Sequence, residues 1–263
     1  MVSIPRCVRC LAEKLVTSQR TVDPKAVSFV EFYGLSGAGK TTLARELELQ
    51  LTRHGVSVTS RHEQLTDGSS FFGRHVRRLR FALFGLTRRP ILFWDVFRKI
   101  SRNGQVSVRD LLKVTWNFWC VMGWYLWHRS GRSGAKIAVV DQGLLQAIWS
   151  VRFSARHQQV DWTWLLRDIG VTDILFVRLH LSAGLARRRL QAREHTCSRL
   201  ASLGDDGDDS EWQHAAELLD EVLRDLRAVI HEEQVVNLYD AGNTPPSMLV
   251  RELLDVRASL QQT

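Results

Sequence analysis

The stretch VSFVEFYGLSGAGKTTLARELELQL, from Val27 to Leu51, decides how the chain is read. Val27–Tyr33 is rich in β-branched and aromatic residues, which predicts a buried strand. Gly34-Leu35-Ser36-Gly37-Ala38-Gly39-Lys40-Thr41 then matches G-x-x-x-x-G-K-[ST] in full. Thr41–Arg53 carries Leu43, Leu47 and Leu51 at i, i+4 and i+8, which predicts a helix. Strand, glycine-rich turn and helix in that order let backbone N–H groups surround a phosphate chain, with the positive end of the helix behind them. Gly34, Ser36, Gly37, Ala38, Gly39, Lys40, Thr41 and Thr42 are therefore expected to bind a nucleotide's phosphates. Lys40 would reach the β- and γ-phosphates, and the Thr41 hydroxyl would ligate Mg²⁺. A plain glycine-rich turn does not account for Lys40 followed by Thr41-Thr42.

Outward from this core the rhythm continues. Val56–Arg61, Ala135–Val140, Thr172–Leu179 and Gln234–Leu238 read as strands, and Ser182–Arg193 and Glu211–Glu233 as helices. Thr244-Pro245-Pro246 is expected to open a last helix. Strands alternating with helices predict an α/β, three-layer P-loop NTPase fold with a five-stranded parallel sheet. Residues 1–24 read as a polar N-terminal extension and 25–263 as one domain. Residues 68–130 interrupt the alternation as a helical insertion. They end in LLKVTWNFWCVMGWYLW, apolar nearly all round, which predicts a buried helix.

Composition sets the frame. The chain has 263 residues, 44% of them apolar and 24% charged, which excludes wholesale disorder. Four cysteines are too few for a disulfide scaffold, so a reducing, cytoplasmic setting is expected. The first residues hold no apolar run of signal-peptide length. Cys7 and Cys10 form a lone pair without the second pair a zinc site needs. Gly204–Asp209 (GDDGDD) does not follow a calcium-loop spacing. Between Arg74 and Lys113 eleven Lys or Arg face only Asp95 and Asp110; this leaves +9 there and −1 on the rest of a chain whose net charge is +8. Such a segment is either a solvated face or a surface that meets anions. Its aromatics, Phe71, Phe72, Phe81, Phe84, Phe93, Trp94 and Phe97, recur at helical spacing, so most are expected in the core. No nucleic-acid module signature accompanies them, which argues against a nucleic-acid partner.

The segment FVEFYGLSGAGKTTLARELELQL resembles the opening of the P-loop kinases of small molecules, the nucleoside and nucleoside-monophosphate kinases, thymidylate kinase among them. The resemblance extends loosely over about 27–255 by order and spacing; only the loop is specific. GLSGAGKTT is also similar to adenylylsulfate kinases, but their acidic-Gly-Asp stretch after the second strand is absent, since this chain reads SRHEQLTDG. The resemblance implies four further sites. Asp141, ending a strand, would hold the Mg²⁺ shell, or else cap the helix starting near Leu144. Glu63, after the second strand, would accept the acceptor hydroxyl's proton, with Asp67 as a substitute, or else be an exposed loop residue. The arginine-rich run 186–193 leading to Arg199, within a lid-like segment 186–210, would close over the transferring phosphoryl group. Arg189 and Arg193 share a helix face there and are the favoured pair; a solvated basic face is the alternative. The insertion occupies the place of the acceptor lobe, where Arg74, Arg77 and Arg78 would grip an acceptor phosphate or meet lipid headgroups.

The Asn-Lys-x-Asp base-reading motif of signalling GTPases is absent from the sequence. The expectation is an ATP- and Mg²⁺-dependent phosphotransferase acting on a small-molecule acceptor, a nucleoside or nucleotide favoured. The alternative is an NTP-dependent switch or assembly factor on an anionic membrane surface, contacted through residues 74–127. Neither acceptor identity nor oligomeric state is readable from the residues.

Overall fold

The structure, a computed structural model, describes residues 28–61, 71–155, 160–192, 209–239 and 247–248. Five strands form one all-parallel sheet: β1 (Phe29–Tyr33), β2 (Val58–Ser60), β3 (Ile137–Val140), β4 (Ile174–Leu179) and β5 (Val235–Leu238). Their order across the sheet is β2-β3-β1-β4-β5. Each lies inside the segment expected from sequence, shorter by one to three residues. The expected α/β three-layer architecture is therefore the observed one.

The helices are α1 (Lys40–Arg53), α2 (Phe71–Arg88), α3 (Pro90–Arg102), α4 (Val108–Arg129), α5 (Leu144–Phe153), α6 (Thr163–Ile169), α7 (Ala183–Gln191) and α8 (Asp209–Arg227). Parallel strands are buried on both faces, and the alternation of side chains divides them between two cores. Phe29 and Tyr33 join Ala138, Val140, Ile174 and Phe176 on one face, under α4, α5, α7 and α8. Val30 and Phe32 join Ile137, Val139, Leu175 and Val177 on the other, under Leu43, Leu47 and Leu51 of α1.

The insertion is three helices. Pro90 starts α3 at a first-turn position where its missing N–H costs nothing. Gly104, at φ 65°, lies in the turn that separates α3 from α4. Ser107 caps α4 by accepting the Asp110 N–H at 3.0 Å. α4 is the expected buried helix: Phe118, Val121, Met122, Trp124 and Tyr125 are all inaccessible. Its aromatics continue onto the sheet, where Phe29 meets Tyr125 at 4.9 Å and His128 at 4.8 Å between ring centres.

Two expectations need correction. Phe81 and Phe93 enter the core, but Phe72 and Trp94 stand in solvent, because the period places them opposite the faces that α2 and α3 bury. The helix expected to run to Glu233 ends at Arg227, and Glu232–Gln234 is a separate 3₁₀ turn leading into β5. Cys7, Cys10, Cys197, the 1–24 extension and residues 244–246 lie outside the described residues. Cys120 is a buried free thiol, pushed up to about 11 by burial.

α2 and α4 cross at two glycines. A Cβ on Gly123 would overlap the Phe81 carbonyl, and one on Gly85 would overlap the Phe93 ring and come within 2.9 Å of the Gly123 Cα. Only hydrogen at both positions permits this backbone contact. Gly123→Ala is expected to cost about 2–3 kcal/mol in urea unfolding, by overpacking. Gly184→Ala, whose Cβ would meet nothing within 4 Å, is expected to be neutral or to stabilise by about 0.5–1 kcal/mol. Equal effects of the two substitutions would refute the close crossing.

Candidate nucleotide site

The sheet order makes β1 and β3 neighbours, with Glu31 beside Val140. The loop leaving β1 and the residue following β3 therefore emerge side by side at the carboxyl edge, where ligands bind in open α/β sheets. Gly37 and Gly39 adopt φ of 92° and 91°, a left-handed backbone that favours glycine. Gly37 has a second reason to lack a side chain: its Cβ would lie 2.6 Å from the Ala186 carbonyl of α7. The loop is thus wedged against the first turns of the helix that carries Arg187, Arg188 and Arg189.

Lys40 is buried, and its ammonium donates to the carbonyls of Gly34 at 2.6 Å and Leu35 at 2.8 Å. The amine is held within the loop's own curl rather than extended into solvent. The Thr41 hydroxyl donates to Oδ2 of Asp141 at 2.8 Å, across 100 positions of sequence. That bond sets the Asp141 carboxylate beside the start of α1. The N-cap of α5 is Gly143 and carries no side-chain cap, so Asp141 does not cap the helix. It faces Thr41.

The Thr41–Asp141 pair suits Mg²⁺. Both donors are hard oxygens, at the N-terminus of the helix behind the loop. No group of three or more His, Cys, Asp or Glu side chains able to hold a metal occurs among the described residues. A protein-only cage is thus absent there, whereas Mg²⁺ takes one or two protein oxygens and completes its octahedron with phosphates and water.

Two residues that sequence reasoning missed hold the segment 141–145. Arg61, at the end of β2, is buried and donates from Nη1 to the Gln142 carbonyl at 2.5 Å. Burial pulls its pKa down, Asp141 opposes the shift, and the Arg78 charge adds to it. Glu31, in the middle of β1, is fully buried and accepts three hydrogen bonds. They come from Tyr125 Oη at 2.6 Å, Leu144 N at 3.0 Å and Leu145 N at 2.8 Å. A Cβ on Gly143 would overlap the Glu31 carboxylate, which accounts for glycine there. Burial pushes the carboxyl up to about 7, against the pull of its three donors and of Arg61. The one signal in sequence was an acidic residue inside a strand otherwise read as buried on both faces.

The remaining expected residues divide. Arg187 and Arg189 are half-buried and Arg188 is exposed, all on α7 beside the loop. Glu63, Asp67, Arg193 and Arg199 lie outside the described residues. Arg78 of the insertion is half-buried, and its carbonyl accepts the Cys120 thiol at 3.6 Å.

A proton bound more tightly in the fold than in the unfolded chain stabilises at low pH, and that gain is lost as the proton leaves. Glu31 moves from an ordinary 4.5 to about 7, so its contribution falls as pH rises from 4.5 through 7. The stability of wild type minus that of Glu31→Gln should therefore decline across this window, by at most roughly 3 kcal/mol. Urea unfolding of both proteins at several pH values measures it, and a flat difference would refute the shift.

No protein-family model matches the sequence, and no curated protein matches it. Solved structures with a similar arrangement include a thymidylate kinase from Ehrlichia chaffeensis, at 14% identity and a TM-score of 0.46, covering 89% of this chain and 99% of that one. A deoxyadenosine kinase from M. mycoides in complex with dCMP and dCDP is 13% identical, with a TM-score of 0.45, covering 88% and 99%. Its dATP complex gives 15%, 0.43, 86% and 99%. The assignment of the fold rests on the chain's own sheet order and on the loop between β1 and α1.

Proposed function

We propose that the protein is an ATP- and Mg²⁺-dependent phosphotransferase acting on a small-molecule acceptor. The observation that carries this reading is the hydrogen bond from Thr41 to Asp141 at the mouth of a complete G-x-x-x-x-G-K-T loop. A nucleoside or nucleotide is the acceptor favoured by the resemblance in sequence.

In this reading the loop's backbone N–H groups and the N-terminus of α1 hold the donor's phosphates. Lys40 exchanges its two carbonyl partners for β- and γ-phosphate oxygens. Thr41 and Asp141 would hold Mg²⁺, which would supply neutralisation of the charge on the donor's phosphates. Arg61 and Glu31 fix the segment that carries Asp141, so the carboxylate does not reorganise during reaction. An acceptor oxygen attacks the γ-phosphorus; the new O–P bond forms as the bond to the β-phosphate oxygen breaks, and ADP leaves. Where the attacking oxygen is a hydroxyl, its proton passes to Glu63, with Asp67 as the substitute. Arg189 and Arg193 stabilise charge on the transferring group and help exclude water, which suppresses hydrolysis.

The test follows γ-labelled ATP incubated with the protein, Mg²⁺ and pooled nucleosides and nucleotides. Label is expected in a new phosphorylated compound, and Lys40→Ala should abolish the transfer. Asp141→Asn should raise the Mg²⁺ concentration required by about tenfold or more. Label that stays in ATP or appears only as inorganic phosphate would refute a nucleoside or nucleotide as the acceptor. Transfer unchanged in Lys40→Ala would refute the mechanism.

A further inference from the structure

We infer that α2, with the start of α3, docks on an anionic lipid surface and lies in its plane. Phe72, Val76, Leu79 and Leu83 are spaced by four, three and four residues and form one stripe along α2. Each is 44–75% exposed, Phe72 most of all. The stripe lies on the side of α2 away from Phe81, Ala82 and Gly85, which pack inward, so the helix has two apolar faces and only one is buried. At 1.5 Å per residue it runs about 17 Å. On α3, Ile91 and Trp94 are 77% and 61% exposed.

Charge identifies the partner. Residues 71–94 contain six arginines and neither Asp nor Glu. Arg77, Arg80 and Arg88 are exposed on α2, while Arg89, which follows it, is paired with Asp168 at 2.8 Å. An apolar stripe bordered by arginines, with tryptophan nearby, is the composition of a helix seated at the boundary of headgroups and acyl chains. A second copy of the chain would bring two such arginine-rich surfaces together, and like charges repel. An anionic bilayer supplies both the apolar layer and the counter-charge. The contact is a lying one, because no helix among the described residues is long and apolar enough to cross a membrane.

The association needs neither nucleotide nor acceptor, so its test is independent of the kinase reading. The full chain is sedimented with phosphatidylcholine vesicles and with vesicles containing phosphatidylserine. Binding is expected only to the anionic vesicles, weakening about tenfold or more between about 0.05 M and about 0.5 M salt. The double variant Leu79→Asp, Leu83→Asp and the double variant Arg77→Gln, Arg80→Gln should each lose about tenfold or more in affinity. Both substitute exposed positions, and unchanged circular dichroism and melting would establish that they fold. Equal binding to neutral vesicles, or binding to neither, would overturn the proposal. So would wild type that ignores vesicles and sediments as a dimer, with Leu79→Asp, Leu83→Asp reducing it to a monomer.

Discussion

The carboxylate of Glu31 is where three parts of the molecule meet. It sits in the central strand, receives a hydroxyl from the insertion helix α4, and receives the first two N–H groups of α5. An isolated buried carboxylate would be expensive; here three donors offset much of that cost. The arrangement also has a steric demand, since Gly143 must lack a side chain for the carboxylate to fit. The strand–turn–helix that carries Asp141 is consequently held from the β1 side by Glu31 and from the β2 side by Arg61. The clamp fixes the segment from which Asp141 reaches Thr41.

The helical insertion contributes to the same centre. Tyr125 reaches Glu31 because α4 lies against β1, with Phe29, Trp124 and His128 packed as rings around it. α2 in turn approaches α4 to backbone contact at Gly85 and Gly123. The basic, aromatic segment thus has a structural role through its inner faces, while its outer faces carry exposed arginines and apolar side chains. Sequence periodicity assigned its aromatics to helices correctly but could not say which face of each helix was turned inward, because α2 is apolar on two sides.

Much of the fold was legible in local pattern. The five strands, α1 and the glycine-rich loop follow from runs of β-branched residues, a leucine period and a motif whose steric logic is local. The break between α2 and α3 could have been read from Pro90. Lys40 and Thr41 could be singled out by motif and Asp141 by its position at a strand end, and the structure places Asp141 within a hydrogen bond of Thr41. Arg61 and Glu31 were not, because their roles come from partners that are remote in sequence, Gln142, Tyr125, Leu144 and Leu145.

The sequence by itself determined that a glycine-rich loop sits between a buried strand and an amphipathic helix, in a parallel α/β chain with a basic insertion. Those features depend on backbone geometry and on side-chain period within a few residues. Tertiary structure alone decided that β3 lies beside β1, that Asp141 faces Thr41 instead of capping α5, and that a buried glutamate ties the insertion to the site. These are contacts across 94 to 114 positions, as in Tyr125–Glu31, Thr41–Asp141 and Leu145–Glu31. They are set by strand order and by the need to satisfy a carboxylate in the core; local sequence marks the carboxylate as out of place in a buried strand but does not name its partners.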